Sequence, residues 1–150
     1  MIGIDTYSEI IKNLLGKYNK ITSELYSSEA YTTTIKTRGF SNKKIIFRYD
    51  IEKKTELLET HEDSIRLKLH SLVKEHKIDS IVISDYNKGF MSKKLSQMII
   101  SIARENGIPT FVDPKIDYTK FIGCTVFKPN KNEIKDIFNI SYSFEKINEI

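Results

Sequence analysis

Three polar clusters hold the residue types able to do chemistry: Ser84-Asp85-Tyr86-Asn87-Lys88-Gly89, Asp113-Pro114-Lys115 and Lys128-Pro129-Asn130-Lys131-Asn132-Glu133. In the first, the Asp85 carboxylate can accept hydrogen bonds from sugar hydroxyls and Lys88 can neutralise phosphate. Gly89 allows a turn that a side chain would obstruct. The same residues also read as an ordinary turn, because Asp, Asn and Gly favour turns for local reasons. In the second cluster Pro114 disfavours helical geometry at Asp113, so a strand ends there on an oriented carboxylate. That group either touches a metal-bound water or simply closes the strand. In the third, Asn130 is placed to cap a helix starting at Lys131, and Glu133 stands where its carboxylate reaches back to the cap. The cap explains both residues structurally. A helix N-terminus also suits phosphate, and Glu133 would suit Mg²⁺ held through water.

A second group of charges alternates along two Thr- and Ile-rich stretches. Lys36 and Arg38 fall on one face of a strand, and Arg48 and Asp50 repeat the arrangement on its neighbour. They serve either as a solvated, aggregation-resistant edge or as contacts to a phosphorylated sugar, with Arg38 or Arg48 giving bidentate phosphate contact.

The elements that position these groups follow from hydrophobic spacing. Tyr7, Ile10, Ile11, Leu14 and Leu15 predict an amphipathic helix over 6–17, with possible caps at Asp5 and Thr6. Residues 31–38 and 44–49 predict a β-hairpin, with Gly39, Ser41 and Asn42 between its strands. Ile65, Leu69, Leu72 and Val73 give a helical stripe within 59–76. Ile81-Val82-Ile83 is a continuous apolar run of the kind expected of a parallel strand covered on both faces. A helix follows, with Ser92 as N-cap, Leu95, Met98, Ile99, Ile102 and Ala103 on one face, and Asn106-Gly107 as its stop. Strands are expected over 110–112 and 125–127, then a helix marked by Ile134, Ile137 and Phe138. Residues 141–150 show weak helical character. Strand, helix, strand, strand, helix with short connections implies a parallel, right-handed α/β sheet. Asp85, Asp113 and Asn130 are then expected on one rim, beyond the carboxyl ends of neighbouring strands.

Composition narrows the classes. The 150 residues, 39% apolar and 29% charged, suit one globular domain. The net charge of +4 arises from 24 basic residues scattered among 20 acidic ones, a mild preference for anionic ligands without a nucleic-acid footprint. The single Cys124 cannot form an internal disulfide, and His61, His70 and His76 make no metal-ligand spacing with it. With no membrane-spanning apolar run and no charged leader before one, a cytoplasmic location is expected.

Six segments in order carry a family resemblance: Thr34-Ile35-Lys36-Thr37-Arg38, Arg48-Tyr49-Asp50-Ile51-Glu52, Val82 through Gly89, Ala103-Arg104 with Gly107-Ile108-Pro109, Val112-Asp113-Pro114-Lys115, and Pro129 through Glu133. The pattern, running from about Gly3 to Asn139, resembles the ribokinase-like (PfkB) carbohydrate kinases, in particular those acting on heptose 7-phosphate. The resemblance implies a single partial ribokinase-like domain over 1–150. It would have a Rossmann-like parallel sheet flanked by helices, an α/β core at about 59–140, and a lid-type hairpin at about 31–50.

It further implies phosphoryl transfer from ATP to a sugar-phosphate hydroxyl. Asn130, Lys131, Asn132, Glu133 and Asp113 would then serve the nucleotide and Glu133 the Mg²⁺. Lys36, Arg38, Arg48, Asp50, Asp85 and Lys88 would serve the sugar phosphate. Two family segments are missing from the sequence: the Gly-Gly sugar-binding stretch and the Gly-Ala-Gly-Asp that supplies the anion hole and the aspartate base. The expectation is therefore a truncated or split kinase with no catalytic base of its own, complemented by another fragment or working as a homodimer. A non-catalytic module that binds a nucleotide, a phosphosugar or a partner subunit is the alternative.

Overall fold

The computed structural model describes residues 1–138. In chain order the elements are α1 (Thr6–Leu15), β1 (Ile35–Ser41), β2 (Lys44–Ile51), α2 (Glu59–Lys74), β3 (Ile81–Ser84) and α3 (Lys93–Glu105). There follow β4 (Thr110–Asp113), a short 3-10 helix (Tyr118–Phe121), β5 (Val126–Phe127) and α4 (Lys131–Phe138). The chain divides into two units, Met1–Leu57 and Leu58 onward, described in turn.

In the first unit, Asp5 caps α1 as its spacing suggests: its side chain accepts from the Ser8 amide at 2.9 Å, and the Ser8 hydroxyl answers in a capping box. The predicted apolar stripe is only partly covered, since Tyr7, Ile10 and Leu14 are each about half exposed while Ser8 is buried. Burial here follows the cap and the N-terminal segment rather than the stripe. The Gly3 amide donates to Thr33 Oγ1 at 2.9 Å, and Ile2 forms a parallel bridge with Ser27. A Cβ on Gly3 would crowd the hydrogen-bonded Asp5 carboxylate and lie 3.0 Å from the Tyr31 carbonyl oxygen, so the close approach favours glycine.

The hairpin forms, but later in the chain than the Thr-rich run suggests. β1 begins at Ile35 because Thr33 is spent on the N-terminal segment, its hydroxyl accepting from Gly3 and its amide donating to Asp5 Oδ2 at 3.3 Å. Gly39 and Ser41, expected in the loop, belong to the strand. The turn is Asn42-Lys43, both at positive φ (47° and 64°), the two-residue geometry that matches strand twist.

In the second unit the sheet has the order β3-β4-β5 with both pairings parallel, as the sequence predicts. Ser92 caps α3 by accepting from the Leu95 amide at 3.0 Å, and Asn106 with Gly107 (φ 67°) ends it. Leu95, Ile99, Ile102 and Ala103 of α3 are buried, as are Ile83, Val112 and Phe121. α3 also packs against the 3-10 helix and α2. One expectation fails: the sheet is not covered on both faces. Val82 is 72% exposed, and its register partners Phe111 and then Val126 are 39% and 41% exposed. Along β3 and β4 the exposed residues alternate with buried Ile83 and Val112, as side chains of successive strand residues point to opposite faces. The weak helical pattern at 141–150 lies outside the described residues.

Candidate functional site

Parallel pairing brings the carboxyl ends of the three strands to one rim. Ser84 stands in register with Asp113, and the Asp85 amide extends the ladder by donating to the Asp113 carbonyl at 3.0 Å. Val112 pairs with Phe127, and the Lys128 amide donates to the Val112 carbonyl at 2.9 Å. Asp85, Asp113 and Lys128 therefore follow one another across adjacent strands, and Asn130 lies two residues past Lys128.

Each rim residue has a defined partner. Asp85 is buried: Oδ1 accepts from the Asn87 amide at 2.8 Å, and Oδ2 accepts from Lys120 Nζ at 3.1 Å. Asn87 and Gly89 adopt positive φ (54° and 97°), so this loop folds back over the strand end. Lys88 is half-buried in it. Asp113 Oδ1 accepts from Lys128 Nζ at 3.0 Å, in an exposed pair open to ligand.

The α4 cap is built as its spacing suggests. Asn130 Oδ1 accepts from the amides of Asn132 and Glu133 at 2.9 and 3.1 Å, while Glu133 Oε2 accepts from the Asn130 amide at 2.7 Å. Glu133 Oε1 also lies 3.9 Å from Lys115 Nζ. Capping thus occupies the amides of Asn130, Asn132 and Glu133. A phosphate at this rim would meet the positive end of α4 and the exposed ammonium groups of Lys115 and Lys128.

The described residues build no all-protein Mg²⁺ cage, so a nucleotide-borne Mg²⁺ would take most of its ligands from phosphate and water. Among the described residues no group of three or more His, Cys, Asp or Glu could hold a metal. Glu133, the one candidate, is 8% exposed and divides its oxygens between the Asn130 amide and Lys115.

The hairpin, in the first unit, gathers its own charges. Lys36 pairs with Asp50 across the strands, and Lys36 Nζ lies 3.2 Å from both Asp50 and Glu52. Arg48 Nε donates to Asp50 Oδ2 at 2.8 Å. The Arg48 guanidinium, helped by Lys36, holds the Asp50 carboxyl down at about 2. Glu52 first, then Asp50, raise the Lys36 ammonium above its ordinary value. Arg38, exposed opposite Arg48, is left without an ion-pair partner among the described residues.

Sequence reasoning missed Lys120, Lys115 and Glu52 as partners in these clusters and overlooked the ion pair of Lys128. Lys128 had a readable signal, since it directly follows the apolar run of β5 and opens the third polar cluster. Lys120 had none, standing in an irregular connection with no periodicity. Burial raises the Cys124 thiol above its ordinary value, in keeping with an inert structural cysteine.

No protein-family model matches the chain. The bifunctional protein HldE of Aliarcobacter butzleri is 36% identical over 146 residues, covering 97% of this chain and 30% of its own length. HldE of Sulfurimonas denitrificans is 36% identical over 135 residues (89% of this chain, 28% of its own), and that of Methylobacillus flagellatus 30% identical over 142 (94% and 29%). The chain therefore spans less than a third of the length of these curated relatives. Among solved structures, a possible 1-phosphofructokinase of Thermotoga maritima matches with a TM-score of 0.69 at 16% identity, over 99% of this chain and 48% of that one. The chain thus shares the α/β fold of that phosphofructokinase structure and is similar along nearly its whole length to under a third of the bifunctional protein HldE.

Proposed function

We propose that this chain is the nucleotide-side segment of a sugar-phosphate kinase that transfers the γ-phosphoryl group of ATP to a hydroxyl of a heptose phosphate. The observation carrying this reading is the single rim on which Asp85, the Asp113–Lys128 pair and the capped Asn130–Glu133 turn succeed one another. On it, Lys115 and Lys128 would offset the charge of the nucleotide phosphates, and the positive end of α4 would orient them. In the second unit Lys88 would contact phosphate; in the first unit, considered by itself, the hairpin's Lys36, Arg38 and Arg48 would offer cations to a phosphorylated sugar, with Asp50 accepting from sugar hydroxyls. Asp85 and Asp113 each already accept a hydrogen bond from a lysine ammonium, Lys120 and Lys128. The base and the anion hole would come from a segment outside these residues, because no Gly-Ala-Gly-Asp stretch occurs in the sequence. Mg²⁺ would accompany the nucleotide, with most of its coordination from phosphate and water. Such a kinase would work in the cytoplasm, where its nucleotide is found.

One observation favours a second reading for the chain alone. With both rim carboxylates neutralised by lysines, the segment suits binding better than turnover, as a nucleotide- or phosphosugar-binding module would. A coupled ADP-release assay with ATP, Mg²⁺ and heptose 7-phosphate, run beside calorimetric ADP titration, separates them. ADP binding without sugar-dependent turnover fits a segment lacking its base, whose absence alone costs about 10²–10⁴-fold in rate. Robust turnover abolished by Asp85→Asn or Asp113→Asn would identify a base within this chain and overturn that assignment.

A further inference from the structure

The end of the sheet away from the rim holds a cavity of about 270 Å³, lined by Arg104 at the close of α3, the turn 107–109, Gly123, and the pair Thr110 and Thr125. That volume falls below the roughly 300–1,000 Å³ of pockets for drug-sized molecules, so it admits a small group only. Thr110 opens β4 and Asp113 closes it, which separates the cavity from the rim by about 10 Å along the strand.

Three donors without an acceptor among the described residues meet there. The Arg104 guanidinium has no ion-pair or hydrogen-bond partner among those residues, and its Nη1 stands over Gly123, 3.9 Å from where a Cβ would sit. The Gly123 amide likewise has no acceptor among them. Thr110 and Thr125 exchange bonds, each amide donating to the other's hydroxyl at 3.0 Å, with the two hydroxyls 3.5 Å apart. A hydroxyl carries one hydrogen, and only one of the pair can point at the other oxygen, so the second O–H is left to donate elsewhere.

Acidic groups do not answer these donors. No Asp or Glu lines the cavity, and the neighbouring Glu105 accepts from Ser101 Oγ at 2.8 Å. The carbonyls ending α3, whose partial negative charge would repel an anion, are also taken: Ile102 accepts from Asn106 Nδ2, Ala103 from the Asn106 and Ile108 amides, and Arg104 from the Gly107 amide. A guanidinium in the last turn also complements the helix dipole. That role accounts for the charge of Arg104, but not for donors from two other segments meeting it in one cavity.

We propose that this cavity is a small-oxyanion site, separate from the rim of Asp85, Asp113 and Asn130, that takes a phosphate or carboxylate group in bidentate contact with Arg104, with the Gly123 amide and a threonine hydroxyl completing its hydrogen bonds. The bound group ties the end of α3 to the connection that leads into β5. None of the rim residues takes part, so the proposal goes beyond the kinase reading and stands apart from it.

The test titrates the isotope-labelled chain with sodium phosphate and, separately, with sodium acetate, holding ionic strength constant with sodium chloride in a zwitterionic buffer. The amide signals of Gly107, Gly123 and Thr125 and the Arg104 Nε–H signal are followed. Saturable shifts with Kd on the order of millimolar or tighter are expected for at least one anion, and the tighter of the two assigns the ligand as phosphoryl or carboxylate. Arg104→Met, at an exposed position, is expected to weaken binding at least about tenfold. Arg104→Lys is expected to fall between, because an ammonium keeps the charge but not the planar fork. Lys128→Met removes a rim cation and is expected to leave the shifts at Gly123 and Thr125 unchanged. Shifts that chloride alone reproduces, that persist undiminished in folded Arg104→Met, or that are confined to residues 128–133 would overturn the proposal, as would no response to either anion. ADP titration reads the rim through residues 113–115 and 128–133, so failure of the nucleotide reading is distinguishable from failure of this one.

Discussion

Lys120 reaches from the 3-10 helix to place Nζ 3.1 Å from Asp85 Oδ2, and the two side chains are only 11% and 2% exposed. The contact ties the connection between β4 and β5 to the end of β3. Its other anchor is Gln97 of α3, whose Nε2 donates to the Lys120 carbonyl at 2.8 Å. A pair buried this far holds its geometry firmly, because neither charge has water to fall back on.

Removing one partner should therefore be costly. Lys120→Met is expected to destabilise the chain by about 3–5 kcal/mol, the range for leaving a buried charge uncompensated, with much of the loss recovered when Asp85→Asn is added. Urea unfolding of the single and double variants measures this. A single-variant loss below about 1 kcal/mol, the range of exposed pairs, would show that the contact is solvated.

How much of this was legible in sequence depends on whether a residue's role is local. The three parallel strands were readable because Ile81-Val82-Ile83, Phe111-Val112 and Val126-Phe127 are short apolar runs, each closed by a turn-forming cluster. The Asn130–Glu133 cap was readable because both partners lie within one helical turn. Lys120 and Asp85 are 35 residues apart, and their meeting depends on how the 3-10 helix docks on α3, which no local spacing encodes. The hairpin's start was misplaced for a similar reason, since Thr33 looks like a strand residue until its bonds to Gly3 and Asp5 are seen. The face bearing Val82 could not be told from a covered one, because an apolar run records that a residue prefers burial, not what covers it.

Acid should loosen the hairpin in a defined window. The Asp50 carboxyl is held at about 2 by Arg48 and Lys36, below its ordinary value of about 3.9 in an unfolded chain. Between those values the unfolded chain binds more protons, so the pair's stabilisation is full above about pH 4 and is lost as pH falls through about 2. Carbonyl NMR of Asp50 against pH should give a midpoint near the lower value, and Arg48→Gln should move it upward. A wild-type midpoint near 3.9 would contradict the pairing.

Loss of the α4 cap should separate structure from ligand binding. Asn130→Ala removes the acceptor for two amides and is expected to cost about 0.5–2 kcal/mol of stability. Glu133→Ala frees the Asn130 amide and leaves Lys115 without its carboxylate neighbour. If Glu133 acts on the nucleotide through Mg²⁺, ADP affinity of the folded variant falls only when Mg²⁺ is present. Calorimetry showing equal affinity in a folded Glu133→Ala variant would remove Glu133 from the site.

The central claim, that the rim of β3, β4 and β5 receives a nucleotide, is tested most directly by titrating ADP with Mg²⁺ into the isotope-labelled chain and following backbone amide shifts. The account predicts that the largest changes fall on residues 113–115 and 128–133, where Asp113, Lys115, Lys128 and the capped turn meet. Saturable shifts confined to other residues, or an unperturbed rim at millimolar ADP in a folded sample, would contradict it.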